Sequence, residues 1–176
     1  MKNVKLALVA SALALSFAGV AGAATQGTLG TDSTGTSDII LIKDNAVQIS
    51  DVGNIDLGTE STLAADKTGS DSVCVFASTG SYHLTVSGAR AAFTLEGPTA
   101  TDLIPYGVTW QVGAGTPETI LPGLKSVGVG YAGDATSLNC NGGTNATFAV
   151  AVDAVGFNAA APGTYTDTLT LFVESI

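Results

Sequence analysis

The stretch from Pro162 to Ile176 alternates so regularly that it constrains the fold of the whole chain. Its apolar side chains stand on every second position, at Tyr165, Leu169, Leu171 and Val173. This period of two is typical of a strand that buries one face. Asp167 is the only polar residue on that face, and we expect water to reach it near the start of the strand. Only three residues follow Val173, so we expect one edge of this strand to find no later partner, and an open apolar edge invites aggregation unless something covers it.

Short runs with the same alternation recur along the chain. They lie at Val47–Ile49, Val73–Phe76, Tyr82–Val86, Phe93–Leu95, Tyr106–Val112, Thr119–Leu121, Val127–Tyr131 and Phe148–Val152. With the final stretch they predict about nine or ten short strands and no helix beyond the N-terminal segment. Ser78-Thr79-Gly80 predicts a hairpin turn. Trp110 is assigned to the core in preference to a binding platform. The pattern predicts an all-β domain, most simply a β-sandwich.

Residues 1–23 predict a cleaved secretory signal peptide. Lys2 and Lys5 precede an apolar core, and Ala21-Gly22-Ala23 is a small-residue cleavage site. The apolar run is too short and too rich in alanine and serine for a membrane anchor. Residues 24–36 consist mainly of glycine, threonine and serine, which predicts a flexible leader. Residues 37–176 then form a single domain, long enough for its own core.

The charge balance argues against a nucleic-acid partner. Without the signal peptide, four basic residues remain against fifteen acidic ones, a net charge of about −11. A surface of this sign repels phosphate backbones. The acidic residues are scattered along the chain, so they do not mark a disordered tail.

The two cysteines predict a disulfide. Cys74 and Cys140 both lie in the exported part of the chain, and no Cys-x-x-Cys motif is present. An even pair of cysteines in an oxidising compartment is most simply a disulfide. A redox or metal site is the weaker alternative, because the chain has one histidine, His83, on the polar face of a strand.

No motif predicts an enzyme. The sequence has no Gly-x-Ser-x-Gly elbow, no cluster of histidine, cysteine and aspartate, and no glycine-rich phosphate loop that opens a helix. We therefore expect no catalytic residue, no metal site and no cofactor. Asn145-Ala146-Thr147 matches the N-glycosylation sequon, which we interpret as a chance match in a turn.

Several segments resemble one known family. The closing "GTYTDTLTLFVESI", preceded by the turn Cys140-Asn-Gly-Gly-Thr-Asn-Ala-Thr147, resembles the spore coat protein U-like and archaic chaperone–usher pilin group. The middle segments "GSYHLTVSG" and "IPYGVTW" and the leader "TGTSDIILIKDNAVQIS" are similar to that group as well. The resemblance extends over nearly the whole chain after the signal peptide, in the same order as in the family.

The resemblance implies a fimbrial subunit with an immunoglobulin-like β-sandwich that lacks one strand. In such proteins a periplasmic chaperone first supplies the missing strand. At the outer-membrane usher, the N-terminal segment of the next subunit replaces it. Here the donor segment is about residues 34–43, with Ile39 and Leu41 as its apolar anchors. The acceptor groove is flanked by Tyr165, Leu169, Leu171 and Val173. The resemblance thus implies export through the periplasm and a surface pilus that serves cell adhesion and biofilm formation.

A second hypothesis keeps the same fold class but not the exchange. In it the chain is a self-contained secreted or surface β-sandwich that binds a ligand, a glycan or a surface. Asp38–Ile49 then forms one continuous strand that completes the protein's own sheet. The sequence does not decide between these two functions.

Overall fold

The computed structural model describes residues 24–176, so the predicted signal peptide lies outside the described residues. The contacts divide the chain into two units, which end at Lys43 and at Ile176. In the first unit, the backbones of Thr25 and Thr36 exchange two hydrogen bonds of 3.1 Å, which close a small loop. Residues 37–46 have no regular secondary structure.

The second unit, Asp44–Ile176, is mainly β-structure, as the alternation predicts. The structure places nine strands in the described part of the chain. They are β1 (Val47–Ser50), β2 (Lys67–Ala77), β3 (Ser81–Ser87), β4 (Thr94–Glu96), β5 (Leu103–Val112), β6 (Glu118–Ile120), β7 (Tyr131–Ala132), β8 (Ala146–Val152) and β9 (Thr170–Ser175). Cys140–Gly142 form a turn of 3₁₀ helix.

The expectation of no helix is wrong at one place. A short α-helix, α1, spans Ala154–Ala159 directly after β8. Asp153 caps it, because its carboxylate accepts a hydrogen bond of 2.6 Å from the N–H of Gly156. Six residues are too few to show the helical period in the sequence, so the capping aspartate was the only signal. No helix formed by residues 24–176 has the length and apolar character needed to cross a membrane.

The strands form two antiparallel sheets. The larger sheet has the order β1-β2-β8-β5-β4, with β6 also paired to β5. The smaller sheet has the order β7-β3-β9. In the smaller sheet Leu84 lies opposite Val173, and Val86 lies opposite Leu171. Within residues 24–176, the last strand therefore pairs with one strand, β3.

The turn at residues 78–80 does not make a hairpin. It joins β2 to β3, but β2 pairs with β1 and β8, and β3 pairs with β7 and β9. The chain thus passes from one sheet to the other at this turn. The local turn residues predicted the reversal correctly, but they do not encode which strands become neighbours.

One apolar core is shared by both sheets. Trp110 of β5 is 1% exposed, and its Nε1 donates a hydrogen bond of 3.2 Å to the hydroxyl of Tyr82 on β3. The two rings also meet edge to face. The core assignment of Trp110 is therefore confirmed. This bond satisfies the one polar atom of a side chain that is otherwise held by apolar contacts.

The predicted cysteine pair is bonded in the structure. Cys74 lies on β2 with no exposed surface, and Cys140 lies in the 3₁₀ turn. The disulfide attaches the loop that precedes β8 to the middle of the larger sheet. It closes a long stretch of chain, so it restricts the unfolded state considerably.

Candidate functional site: an apolar groove beside the last strand

The final stretch has the predicted face alternation, although its regular strand begins only at Thr170. The predicted groove-edge residues are half-buried and pack against the core: Tyr165, Leu169, Leu171 and Val173. Between them, Thr168, Thr170 and Phe172 are exposed. Before β9 begins, the backbone of Thr166 pairs with Glu96 of β4 through hydrogen bonds of 2.8 and 3.0 Å. The stretch therefore leaves the edge of the larger sheet and joins the smaller one.

One edge of β9 has no partner strand among the described residues. The N–H of Ile176 donates to the carbonyl of Ser81, which fixes the residues that face β3 as those at even positions. The backbone groups of Leu169, Leu171 and Val173 therefore face the other way. We call this side the outer edge of β9.

A groove of about 420 Å³ runs beside Leu169 and Leu171. Its floor belongs to the larger sheet, with Phe148, Val150 and Val152 on β8 and Tyr106 on β5. Its far wall is formed by residues 52–57, and Leu95 of β4 also contributes. Most of the lining side chains are aliphatic or aromatic, so the groove suits an apolar occupant.

The far wall is held by side chains and not by a strand ladder. Residues 51–60 form no regular secondary structure. Ile55 and Leu57 lie over Gly69 of β2, where an added Cβ would come within 2.5 Å of the Ile55 side chain. The N–H of Gly53 donates a hydrogen bond of 2.6 Å to the carboxylate of Asp71. A glycine in the strand thus makes the space that lets this wall approach the sheet.

Asp167 is the one charged residue in the groove lining. Its Oδ2 accepts a hydrogen bond of 2.6 Å from the hydroxyl of Tyr106, and its Oδ1 accepts from the N–H groups of Ala89 and Thr168 at 3.0 and 2.7 Å. Burial, and then the hydrogen bond to Asp167, raise the pKa of Tyr106. No cationic nitrogen of the described residues lies within 4.0 Å of this carboxylate. The sequence marked Asp167 as a misfit on the apolar face, but it did not reveal these partners.

The predicted groove-edge residues divide into two pairs. Leu169 and Leu171 line the groove. Tyr165 and Val173 are half-buried but lie outside its lining, and the Tyr165 hydroxyl instead donates to the carbonyl of Ala161 at 2.8 Å. Sequence reasoning missed the floor and the far wall. Alternation marks which face of a strand is buried, but it does not indicate which buried faces meet at a gap.

The predicted donor residues are almost fully exposed. Ile39 is 96% exposed and Leu41 is 93% exposed. Ile40 and Ile42 between them are exposed as well, at 59% and 72%. Four consecutive exposed aliphatic side chains are costly in water, because each loses the free energy that burial would provide.

The chain matches no protein-family model, and no curated protein matches it either. Function is therefore inferred from the groove, from the outer edge of β9 and from the exposed aliphatic segment.

Proposed function

We propose that this chain is a structural subunit of an extracellular pilus or fibre, assembled by donor-strand exchange through a chaperone–usher route. The observation that carries the proposal is the apolar groove of about 420 Å³ beside the outer edge of β9. In this proposal the two sheets are an immunoglobulin-like sandwich that lacks one strand. A strand added at such an edge gains main-chain hydrogen bonds, while alternate side chains enter apolar pockets.

The donor in this proposal is the segment at residues 34–43 of another copy or of a related subunit. Ile39 and Leu41 fall on one face of an extended chain and are exposed where they stand. Burial of each such side chain contributes roughly 1.5–3 kcal/mol, which favours the assembled state. The glycine-rich leader before them serves as a tether that lets the segment reach a neighbour.

The remaining partners follow from the exposed groove. A subunit with an open edge and an apolar gap needs cover before assembly. A periplasmic chaperone provides this cover, and an outer-membrane usher exchanges it for the donor segment. The mature subunit then lies in a surface fibre and takes part in adhesion and biofilm formation. Its action is non-covalent, so the proposal includes no enzymatic activity, cofactor or nucleic-acid partner.

The self-contained alternative gains no support from the described residues. It expects Asp38–Ile49 to be one continuous strand. Instead, residues 37–46 have no regular secondary structure, and the first strand begins at Val47.

Aspartate substitutions on the donor segment test the proposal. Ile39→Asp with Leu41→Asp should abolish fibres while the subunit stays soluble with its chaperone, because both side chains act only in a neighbour's groove. Leu169→Asp should reduce the soluble subunit itself, since Leu169 packs against the core and also lines the groove. Chaperone-bound yield and boiling-sensitive fibre ladders are the two measurements.

The same segment offers a matched control. Ile40→Asp with Ile42→Asp adds the same charge on the opposite face, where an extended donor presents its side chains to solvent. This control should still form fibres. An equal loss of soluble subunit in the donor variant and in Leu169→Asp would contradict donor-strand exchange and favour the self-contained alternative.

A further inference from the structure

We infer that Asp167 receives the ammonium group of Lys43 from a second copy of the chain, and that this ion pair fixes the direction in which the donor segment lies in the groove. The inference rests on the proposed donor-strand exchange. It adds a residue that selects the occupant and sets its register.

The donor segment has a charge at one end of its apolar face. In an extended chain Ile39, Leu41 and Lys43 stand on the same face, two positions apart. Lys43 is the only basic residue between Ala24 and Asp66. From its N-terminal end, the face that would enter the groove therefore presents two apolar side chains and then a cationic one.

The groove presents the complementary order. Asp167, Leu169 and Leu171 all line it, again two positions apart along one stretch of chain. An antiparallel donor places Lys43 opposite Asp167, Leu41 opposite Leu169, and Ile39 opposite Leu171. A parallel donor with the same centre places Ile39 against the carboxylate of Asp167 and Lys43 against Leu171. Cross-strand pairs of opposite charge and of apolar side chains are stabilising, so only the antiparallel order matches at all three positions.

The surroundings of Asp167 favour a cation. Its three hydrogen-bond donors are neutral groups, namely the hydroxyl of Tyr106 and the N–H groups of Ala89 and Thr168. Oδ2 accepts one hydrogen bond within the described residues, and a carboxylate oxygen has capacity for another. In the groove, apolar walls reduce the screening of charge, which strengthens attraction to an incoming ammonium group. The methylene stem of a lysine can lie along those walls while its charged end reaches the carboxylate.

The backbone register agrees with this direction. The outer edge of β9 offers the N–H and C=O groups of Leu169, Leu171 and Val173, which occur at every second residue. In an antiparallel pair, directly opposed residues exchange both hydrogen bonds at alternate positions. The proposed register gives these double bonds to Leu41, Ile39 and Ser37 of the donor. The residues whose side chains enter the groove are therefore the same residues whose backbones pair.

Peptide binding tests the ion pair. The acceptor is the full mature chain with Ile39→Asp and Leu41→Asp, so that its own donor segment does not compete, and the probe is a synthetic peptide of residues 34–43. Lys43→Met in the peptide should weaken binding on the order of tenfold, as loss of a charge-assisted hydrogen bond does. Thr36→Glu in the peptide makes the same change in net charge near the other end, on the face that an extended donor presents to solvent, and should have little effect. With Asp167→Asn in the acceptor, the native and Lys43→Met peptides should bind equally, and circular dichroism confirms that this acceptor stays folded.

The outcomes separate the inference from the proposed function. Equal binding of the native and Lys43→Met peptides, with binding still lost in an Ile39→Asp peptide, would overturn the ion pair and leave donor-strand exchange standing. If no peptide binds, both are overturned.

Cysteine cross-linking tests the direction separately. An antiparallel donor places Ile40 opposite Thr170, whereas a parallel donor with the same centre places it opposite Thr168. Both threonines are exposed, and although Thr168 also touches the groove, cysteine is close to threonine in size, so either replacement preserves the groove. Fibres with Ile40→Cys and Thr170→Cys should form intermolecular disulfides, and those with Ile40→Cys and Thr168→Cys should not. The reverse result, or no cross-link in fibres of either variant, would overturn the proposed direction and register.

Discussion

The smaller sheet ends very differently at its two edges. On the β7 side, Tyr131 and Ala132 pair with β3, and the chain then continues to Asp134, which bonds to β2 of the larger sheet. The N–H of Asp134 donates to the carbonyl of Val75, and its own carbonyl accepts from Ala77, both at 2.9 Å. We call this side the closed edge. On the β9 side, Thr166 makes a similar bridge to β4, but no part of residues 24–176 pairs with the backbone of Leu169–Val173 at its outer edge.

The difference is that the β9 side has an apolar groove beside its unpaired edge. The chain crosses between the same two sheets on both sides, and on the β7 side the backbone of Asp134 pairs with β2 two residues after β7 ends. The groove lies on the β9 side. There the backbone bridge to the larger sheet is made at Thr166, and the apolar residues Leu169 and Leu171, which come later in the chain, line an open gap. Substitutions at the closed edge should therefore lower stability, whereas those at residues that line the groove should lower assembly as well as stability.

The largest effect is expected from removal of the disulfide, which attaches the loop after the closed edge to β2. Replacing both cysteines, Cys74→Ala with Cys140→Ala, should lower the free energy of unfolding by about 4 kcal/mol, because the long loop becomes unrestricted in the unfolded state. Urea unfolding of the mature subunit measures this. Alkylation of the native protein without reductant should add no mass, and two alkylated thiols would contradict the bond.

A leucine on β3 and another just before β9 compare the buried core with the open groove. Leu84 of β3 is 1% exposed, whereas Leu169 is half-buried beside the groove. Leu84→Ala should cost about 3 kcal/mol of folding free energy, and Leu169→Ala about half of that, since part of its surface is already in water. The order should reverse for the affinity of the donor peptide. Equal folding costs and equal affinities would mean that the groove is not an open site.

A smaller effect should come from Asn145, which bridges β8 and β2 close to the closed edge. Its Oδ1 accepts from the N–H of Val75 at 2.8 Å, and its Nδ2 donates to the carbonyl of Val75 at 2.9 Å. Asn145→Ala should lower the free energy of unfolding by about 2 kcal/mol, because a partly buried backbone N–H loses its acceptor. Gln111→Ala is the matched amide control, since that side chain bonds only to exposed turn carbonyls. Equal effects of the two variants in urea unfolding would contradict a special role for Asn145.

The sequence predicted those features of the fold that depend on the pattern within a single strand or on residue composition. The face alternation of residues 165–173, the buried Trp110 and the cysteine pair all follow from local pattern and composition. The predicted strand over Val127–Tyr131 is regular only at Tyr131 and Ala132, because this segment bends there to reach the larger sheet. The far wall at Ile55 and Leu57 depends on Gly69 in another strand. Such features depend on which strands meet, and period alone does not encode this.

The pairing of β3 with β9 also has a consequence for folding kinetics. Val86 reaches its partner Leu171 only after nearly half of the chain has been placed between them. Loops of this length are closed slowly, and topologies dominated by such distant pairings fold slowly. As a chain is delivered from its N-terminal end, Tyr82, Leu84 and Val86 cannot be covered by β9 until that strand arrives. The apolar residues of the smaller sheet are therefore exposed to water until late in folding. Aggregation competes with folding during that interval.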